Sequence, residues 1–344
     1  MSRADGKTSE AVTSFLYEET LTPAEASTLR NVLSASAVSS GLTNFVEAAR
    51  TASPYDGATG GVALSAVSTL GNADFSIEPK GTGALVRKLA DGTNAGGNRR
   101  GTYAVDWQSP SFAATVASGQ RAVISGGINN TCSGANAVIS GGDSNVVSGT
   151  ASVISGGESN SATATYSTVT GGRSNLASAT YSQAGGAYST TRGIHGADVR
   201  GAGLFVTQGD AQIARYILRN STTNATQTEL YADGVTASAG TRITLPNNSA
   251  YSFTGQVIGK TQTVGDVAAW RFSGTIQRIT TAASTALVGT ILMTDTNTTA
   301  GTAAAWSVSI DADTTNGGLR IRVTGAAATT IRWMATVNTC ELGF

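Results

Sequence analysis

Residues 122–181 break into four lines of equal length: AVISGGINNTCSGAN (122–136), AVISGGDSNVVSGTA (137–151), SVISGGESNSATATY (152–166) and STVTGGRSNLASATY (167–181). Gly-Gly recurs at Gly126-Gly127, Gly141-Gly142, Gly156-Gly157 and Gly171-Gly172, and Asn follows at a fixed offset as Asn130, Asn145, Asn160 and Asn175. The next line loosens to Gly186-Ala187, with Thr190 at the Asn offset. A β-prone run precedes each Gly pair, such as Ala122-Val123-Ile124-Ser125. A second glycine register, Gly119, Gly134 and Gly149, relaxes to Ala164 and Ala179 beside Tyr166 and Tyr181.

A short repeat with two glycine-marked corners predicts one coil of strand, turn, strand, turn. Such a coil cannot bury its own inner face, so successive coils must stack and share a core. Strand alternation sets Ala122 with Ile124, Ala137 with Ile139 and Ser152 with Ile154 on one face. These residues are small and the coil is thin, so three chains side by side would bury more than one. Asn at a fixed corner suits a left-handed backbone and a ladder of stacked amides. Cys132 aligns with Val147, Ala162 and Ala177, which reads as a small core residue and not a reactive thiol.

The wider composition agrees with thin, repetitive β structure. Ala, Thr, Gly and Ser make up about half of the 344 residues, while charged residues are 13%. Lys+Arg and Asp+Glu both number 22, so no net basic field is available to hold nucleic acid. No apolar run approaches the roughly 20 residues needed to cross a bilayer, and no secretory leader is evident. The single His, His195, and the two distant cysteines, Cys132 and Cys340, predict no catalytic site, no metal site and no cofactor.

The pattern Ala-Val-Ile-Ser-Gly-Gly-x-x-Asn-x-x-x-Gly resembles the head repeats of trimeric autotransporter adhesins and the same repeat in bacteriophage tail fibres. The stretches Leu21–Val32, Asn72–Ala84 and Gly101–Gln108 are similar to segments of tail-fibre modules. No autotransporter membrane anchor is evident, which favours the phage branch. The resemblance covers roughly residues 20–200. It implies a trimeric parallel β-roll in a virion appendage, joined to a phage tail or adaptor protein through the N-terminus.

Outside the repeats, Thr22 reads as an N-cap, Pro23 as the first helical position and Glu25 as a first-turn acid, predicting a short helix from Leu21. Ser34 to Gly61 reads as an extended linker. After Gly203, seven alternating stretches (213–219, 249–260, 266–279, 286–293, 304–310, 319–323 and 330–342) predict an antiparallel β-sandwich, jelly-roll-like, with an Asn316-Gly317 hairpin. Period-2 phasing places Trp270, Trp306 and Trp333 on apolar faces, as core residues in preference to sugar platforms. The fold class expected is therefore mainly β: an elongated homotrimeric fibre with a short N-terminal helix. Its parts are an attachment segment (1–60), a β-rich connector (61–117), the β-roll (118–200) and a C-terminal sandwich knob (201–344).

The function expected is non-covalent, multivalent attachment of the virion to a host-surface receptor, a glycan, through the knob. Loops 294–303 and 311–317 supply the receptor-binding candidates Asp295, Asn297, Thr299, Asp311, Asp313 and Asn316. Four lysines (Lys7, Lys80, Lys88 and Lys260) leave eighteen arginines among the 22 basic residues. Arg271, Arg320, Arg322 and Arg332 are therefore candidates for inter-subunit pairing, or for holding a polyanionic glycan. Asp311–Gly317 departs from a calcium loop, with Gly one place late and Arg322 where Glu is needed. His195 reads as a turn residue, against a shared metal on a trimer axis. The alternatives are a tailspike-type glycan-degrading enzyme, which needs paired carboxylates, and a capsid or tail decoration protein without a receptor role.

Overall fold

The computed structural model describes residues 45–50, 61–66 and 83–344, apart from 88–89, 94–96, 110–111, 236, 263–264 and 299–301. The chain divides into two units, Met1–Glu78 and Pro79–Phe344. The first contains an antiparallel pair, Phe45–Arg50 with Gly61–Ala66. The segment expected as an extended linker thus contains a strand, and its pairing crosses the expected boundary at residue 60. The short helix from Leu21 lies outside the described residues, as does nearly all of Asn72–Ala84. Among the described residues there is no α-helix.

The second unit is a β-solenoid that runs into an antiparallel sheet. Val123–Ile124 pairs in parallel with Val138–Ile139, then with Val153–Ile154, Thr168–Val169 and Gln183–Ala187. A second parallel sheet stacks Thr131–Cys132, Val146–Val147, Ser161–Ala162 and Leu176–Ala177. Isolated bridges join Ile128, Asp143, Glu158 and Arg173 along a third row. Regular rungs also extend beyond the expected start at residue 118, because Val105–Asp106 pairs with Val123–Ile124 and Leu85–Val86 with Val105–Asp106. Irregular spacing before Gly119 hides these rungs from a period search.

The core of each coil is as thin as the repeat predicts. Ile124, Ile139, Ile154 and Val169 face Cys132, Val147, Ala162 and Ala177, all buried. Ala122, Ala137, Ser152 and Ser167 complete the row. Burial pushes the Cys132 thiol up to about 12, so it remains a neutral thiol packed among aliphatics.

The repeat Asn residues lie inside the coil. Asn145 Nδ2 donates to Asn130 Oδ1 at 3.1 Å, to the Gly141 carbonyl at 3.1 Å and to the Gly157 carbonyl at 2.9 Å. Its backbone N–H donates to Asn130 Oδ1 at 3.0 Å, and Asn160 and Asn175 repeat the arrangement. Gln108 caps one end by bonding both the N–H and the carbonyl of Asn130. Ser189 caps the other through Asn175 Oδ1 at 2.8 Å. The expected amide ladder is therefore present. The left-handed backbone is not at these asparagines: it falls one residue earlier, on Asn129, Ser144, Ser159 and Ser174. The left-handed corner and the inward-turned amide thus fall on neighbouring residues, and the two roles separate. The ladder also steps to Ser189, not Thr190, because the last turn is one residue short.

The sheet that begins at Leu85–Val86 does not stop at the end of the repeats. Asp198–Ala202 pairs in parallel with Gln183–Ala187 and antiparallel with Ala211–Thr222. Ala211–Thr222 pairs with Ile331–Gly343, which pairs with Ser249–Thr261, then Val267–Arg278 and Ala286–Thr298. The expected boundary at 200/201 thus falls inside a strand. A smaller antiparallel sheet, Thr228–Glu229, Ile243–Thr244, Ser307–Asp313 and Gly318–Thr324, shares one core with the large sheet. Trp270, Trp306 and Trp333 lie in that core, and Trp333 Nε1 donates to Thr222 Oγ1 at 3.0 Å.

Candidate functional site

Three polar arrangements stand out in the C-terminal part. The first lies on the solvent side of the small sheet. In Gly318–Thr324, Leu319, Ile321 and Val323 point into the core, which leaves Arg320 and Arg322 on the other face. Register places Asp311 opposite Arg320 and Glu229 opposite Arg322. Arg320 Nε donates to Asp311 Oδ1 at 2.6 Å, and Arg322 pairs with Asp311 Oδ2. Arg242 holds Glu229 Oε1 at 2.9 Å and approaches Asp313 at 3.7 Å, with its guanidinium over the Tyr231 ring.

Asp313 begins the Asn316-Gly317 turn. Its carboxylate accepts from the backbone N–H groups of Thr315 and Asn316, and from Asn316 Nδ2 at 2.7 Å. Burial alone would raise this carboxyl. The hydrogen bonds from Asn316 and Thr315, with the nearby Arg320, hold it below its ordinary value.

The second arrangement is buried where the solenoid meets the sheet. Arg192, in the turn before the last parallel strand Asp198–Ala202, pairs with Glu341 on the final strand. Glu341 also accepts from Tyr216 Oη at 2.7 Å, Gln212 Nε2 at 2.8 Å and Thr339 Oγ1 at 2.8 Å. Arg192 Nη1 donates to Tyr251 Oη at 2.6 Å. Burial, with the Glu341 charge added, lifts both tyrosines well above their ordinary range. Six residues from four segments thus clamp the C-terminus onto the solenoid. No local sequence pattern announces this cluster, because Arg192 and Glu341 are separated by most of the C-terminal region.

The third is the solvent face of the large sheet. Outward residues of three neighbouring strands bring Ile213, Ile217, Ile258, Met334 and Leu342 to the surface, each more than two-fifths exposed. Asp198, Arg200, Arg215, Ser252, Thr254 and Asn338 line a groove of about 390 Å³ on the same face. Arg271 and Arg332 are exposed and lie on this large sheet.

The candidate residues are therefore scattered. Asp295 and Asn297 are in the Ala286–Thr298 strand, paired with Trp270 and Ala269, so 294–298 is strand and not loop. Thr294, Thr296 and Thr298 read as part of a polar loop, but β-branching suits them to a strand. Thr299 lies outside the described residues. Asp311 and Asp313 are likewise in a strand, and only Asn316 is in a turn. Arg320 and Arg322 form intrachain pairs with Asp311, apart from Arg271 and Arg332 on the large sheet. His195 sits in a turn with its ring edge-on to Tyr181 at 5.4 Å.

No protein-family profile matches this chain, and no curated protein matches it in sequence. Among solved structures it is similar to the tailspike protein gp49 of Acinetobacter baumannii bacteriophage Fri1, a capsular polysaccharide depolymerase. The likeness has a TM-score of 0.24 at 8% identity, over 76% of this chain and 47% of that one. The Acinetobacter phage vB_ApiP_P1 tailspike gives 0.18 at 8% identity, over 72% and 55%. The tailspike of Acinetobacter baumannii phage AM24 gives 0.22 at 7%, over 76% and 54%. The chain spans about half the length of these structures. Likenesses at such TM-scores say nothing about its activity.

Proposed function

We propose that this chain is a bacteriophage tail appendage of the virion that binds a bacterial surface glycan without cleaving it. The observation that carries this reading is the single hydrogen-bonded sheet from Leu85 through the fifteen-residue rungs into the C-terminal strands. It builds a stiff element around a minimal core, which suits a spacer that holds a binding surface away from a particle. This reading takes the rungs as the head-type repeat that the sequence resembles. Residues 1–60 are the attachment segment for a tail or adaptor protein, and the C-terminal sheets form the knob.

A homotrimer belongs to the same reading. Among the described residues nothing covers the large-sheet face, which mixes aliphatic side chains with Arg271 and Arg332, a composition suited to an interface between copies. Three weak sites on one rod raise avidity without any single tight contact. Light scattering should give about three times the chain mass of 34.6 kDa; a mass near that of one chain contradicts the trimer.

The second reading is a glycan-cleaving tailspike, the activity named for one of the solved structures above. Glycoside hydrolysis needs one carboxyl kept protonated beside a second that is ionised. Glu229, Asp311 and Asp313 all face arginine, and Asp313 is held below its ordinary value, which is the opposite of an acid catalyst. The test is binding of labelled protein to bacteria before and after their surface polysaccharide is stripped. Loss of binding on stripping, with no new reducing ends in the untreated sample, is the expected result. Undiminished binding overturns the glycan reading, and new reducing ends overturn the non-cleaving one.

A further inference from the structure

One corner of the solenoid departs from the small-residue rule. Tyr103, Arg121, Asn136, Ala151, Tyr166, Tyr181 and Gly196 follow each other rung by rung, each with a left-handed φ between +52° and +62°. The backbone ladder fixes the column: Asn136 N–H donates to Gln120 O, Ala151 to Ala135 O, Tyr166 to Thr150 O and Tyr181 to Thr165 O. A left-handed corner favours Gly or Asn, and Asn136 and Gly196 obey that preference. Tyrosine there costs about 1 kcal/mol in backbone strain. The strain gains no burial, since Tyr166 is 51% and Tyr181 60% exposed.

The rings are ordered nonetheless. Tyr166 and Tyr181 stack at 5.2 Å with 2° between their planes, and His195 closes the far side of Tyr181 edge-on. The other face of Tyr166 looks along the column over Ala151, whose side chain is a single methyl group. Beyond Ala151 stands Asn136, whose Oδ1 accepts from Arg121 Nε at 2.7 Å. Rungs of a sheet lie about 4.8 Å apart. Tyr166 and Asn136 are two rungs apart, so the missing side chain at Ala151 leaves a slot the thickness of one ring.

We infer that this slot, with Tyr166 as one wall, Ala151 as floor and Asn136 and Arg121 as the other wall, binds one acidic pyranose of a glycan. The inference rests on the glycan reading above and names a site for it outside the knob. An aromatic face takes the apolar C–H face of a sugar ring, while Asn136 and Thr150 offer hydrogen bonds to its hydroxyls. The Arg121 guanidinium selects a ring bearing a carboxylate. A second protein chain fits the slot poorly, because one aromatic wall bordered by Thr150, Thr165 and Thr180 is a narrow and polar-edged apolar surface.

The test uses the full chain with trigalacturonate and uncharged maltotriose as probes in calorimetric titrations. Trigalacturonate should bind, and Tyr166→Ala should weaken it about tenfold. Ala151→Tyr continues the tyrosine stack already accommodated at 166 and 181, so it should keep the melting temperature while abolishing binding. Arg121→Gln should erase the preference for trigalacturonate over maltotriose. Failure of the unmodified chain to bind trigalacturonate overturns the inference, as does unchanged binding by Ala151→Tyr. Adsorption to bacteria separates the two readings. If the Ala151→Tyr protein binds cells as well as the original, the slot is not the receptor site but glycan attachment stands. If neither protein binds cells, the attachment reading itself falls.

Discussion

The solenoid and the large C-terminal sheet share one continuous ladder of backbone hydrogen bonds, yet the two regions are held together by different means. A solenoid rung buries one Ile or Val, one Cys, Val or Ala, and one Ala or Ser. The rest of its cohesion is the Asn ladder and the parallel backbone pairing, repeated at each step. The C-terminal part instead gathers long strands around three tryptophans, Tyr216, Tyr251, Phe253 and Phe272 in a single core. Stability in the first region is a sum of nearest-neighbour terms, whereas in the second it depends on a few large side chains. The first can therefore be lengthened or shortened by whole rungs, and the second cannot.

Trp333 provides the largest test of that contrast. Trp333→Ala removes the residue between Trp270 and Trp306 and should cost about 3–5 kcal/mol. Hydrogen exchange should show the C-terminal strands losing protection while the rungs at 138–170 keep theirs. Equal loss in both regions would erase the distinction. Glu341→Ala probes the seam and should cost about 3 kcal/mol, because the largely buried Arg192 loses its carboxylate partner and Tyr216 and Gln212 lose their acceptor. Chemical denaturation of this variant should split into two transitions where the parent shows one.

Within the solenoid, the first and second glycines of the Gly-Gly pairs should behave oppositely. A Cβ at Gly142 would sit 2.1 Å from the Gly157 carbonyl oxygen at a φ of +91°, so Gly142→Ala should cost about 2–4 kcal/mol. A Cβ at Gly126 meets nothing within 4 Å, and Gly126→Ala should change stability by under about 0.5 kcal/mol. Similar melting temperatures for the two would show that rung spacing is softer than the ladder implies. The smallest effect concerns Asp313. Its folded value is depressed, so its contribution is complete above the unfolded value of about 3.9 and disappears as pH falls through the lower folded value. Asp313→Asn should flatten the pH dependence of unfolding in that acid window; an unchanged slope would remove Asp313 from the account.

The two regions also differ in how far their residues announce them. Repetition made the rungs legible, since Gly-Gly, Ile and Asn recur at one spacing. Alternation made the C-terminal strands legible, with Ala211–Thr222 through Ile331–Gly343 close to the stretches marked by period 2. The misplacements have physical causes. Asn favours left-handed corners, yet here its amide is spent inside the coil and Ser144 or Ser159 takes the corner. Threonines at 294–298 look like a loop until a partner strand of equal length is available. The candidate site was less legible, because Asp311 and Arg320 meet only through strand register, and Arg192 and Glu341 only through the tertiary fold. The Tyr166 corner was visible as a break in the glycine register, but its stacking partner and open face needed the coil geometry.

Adsorption competition tests the central claim most directly. Virions carrying this chain would be offered to their bacterial host in the presence of increasing free protein. The account predicts that adsorption falls progressively as the free protein occupies the surface glycan. Adsorption that stays constant at saturating free protein would contradict it.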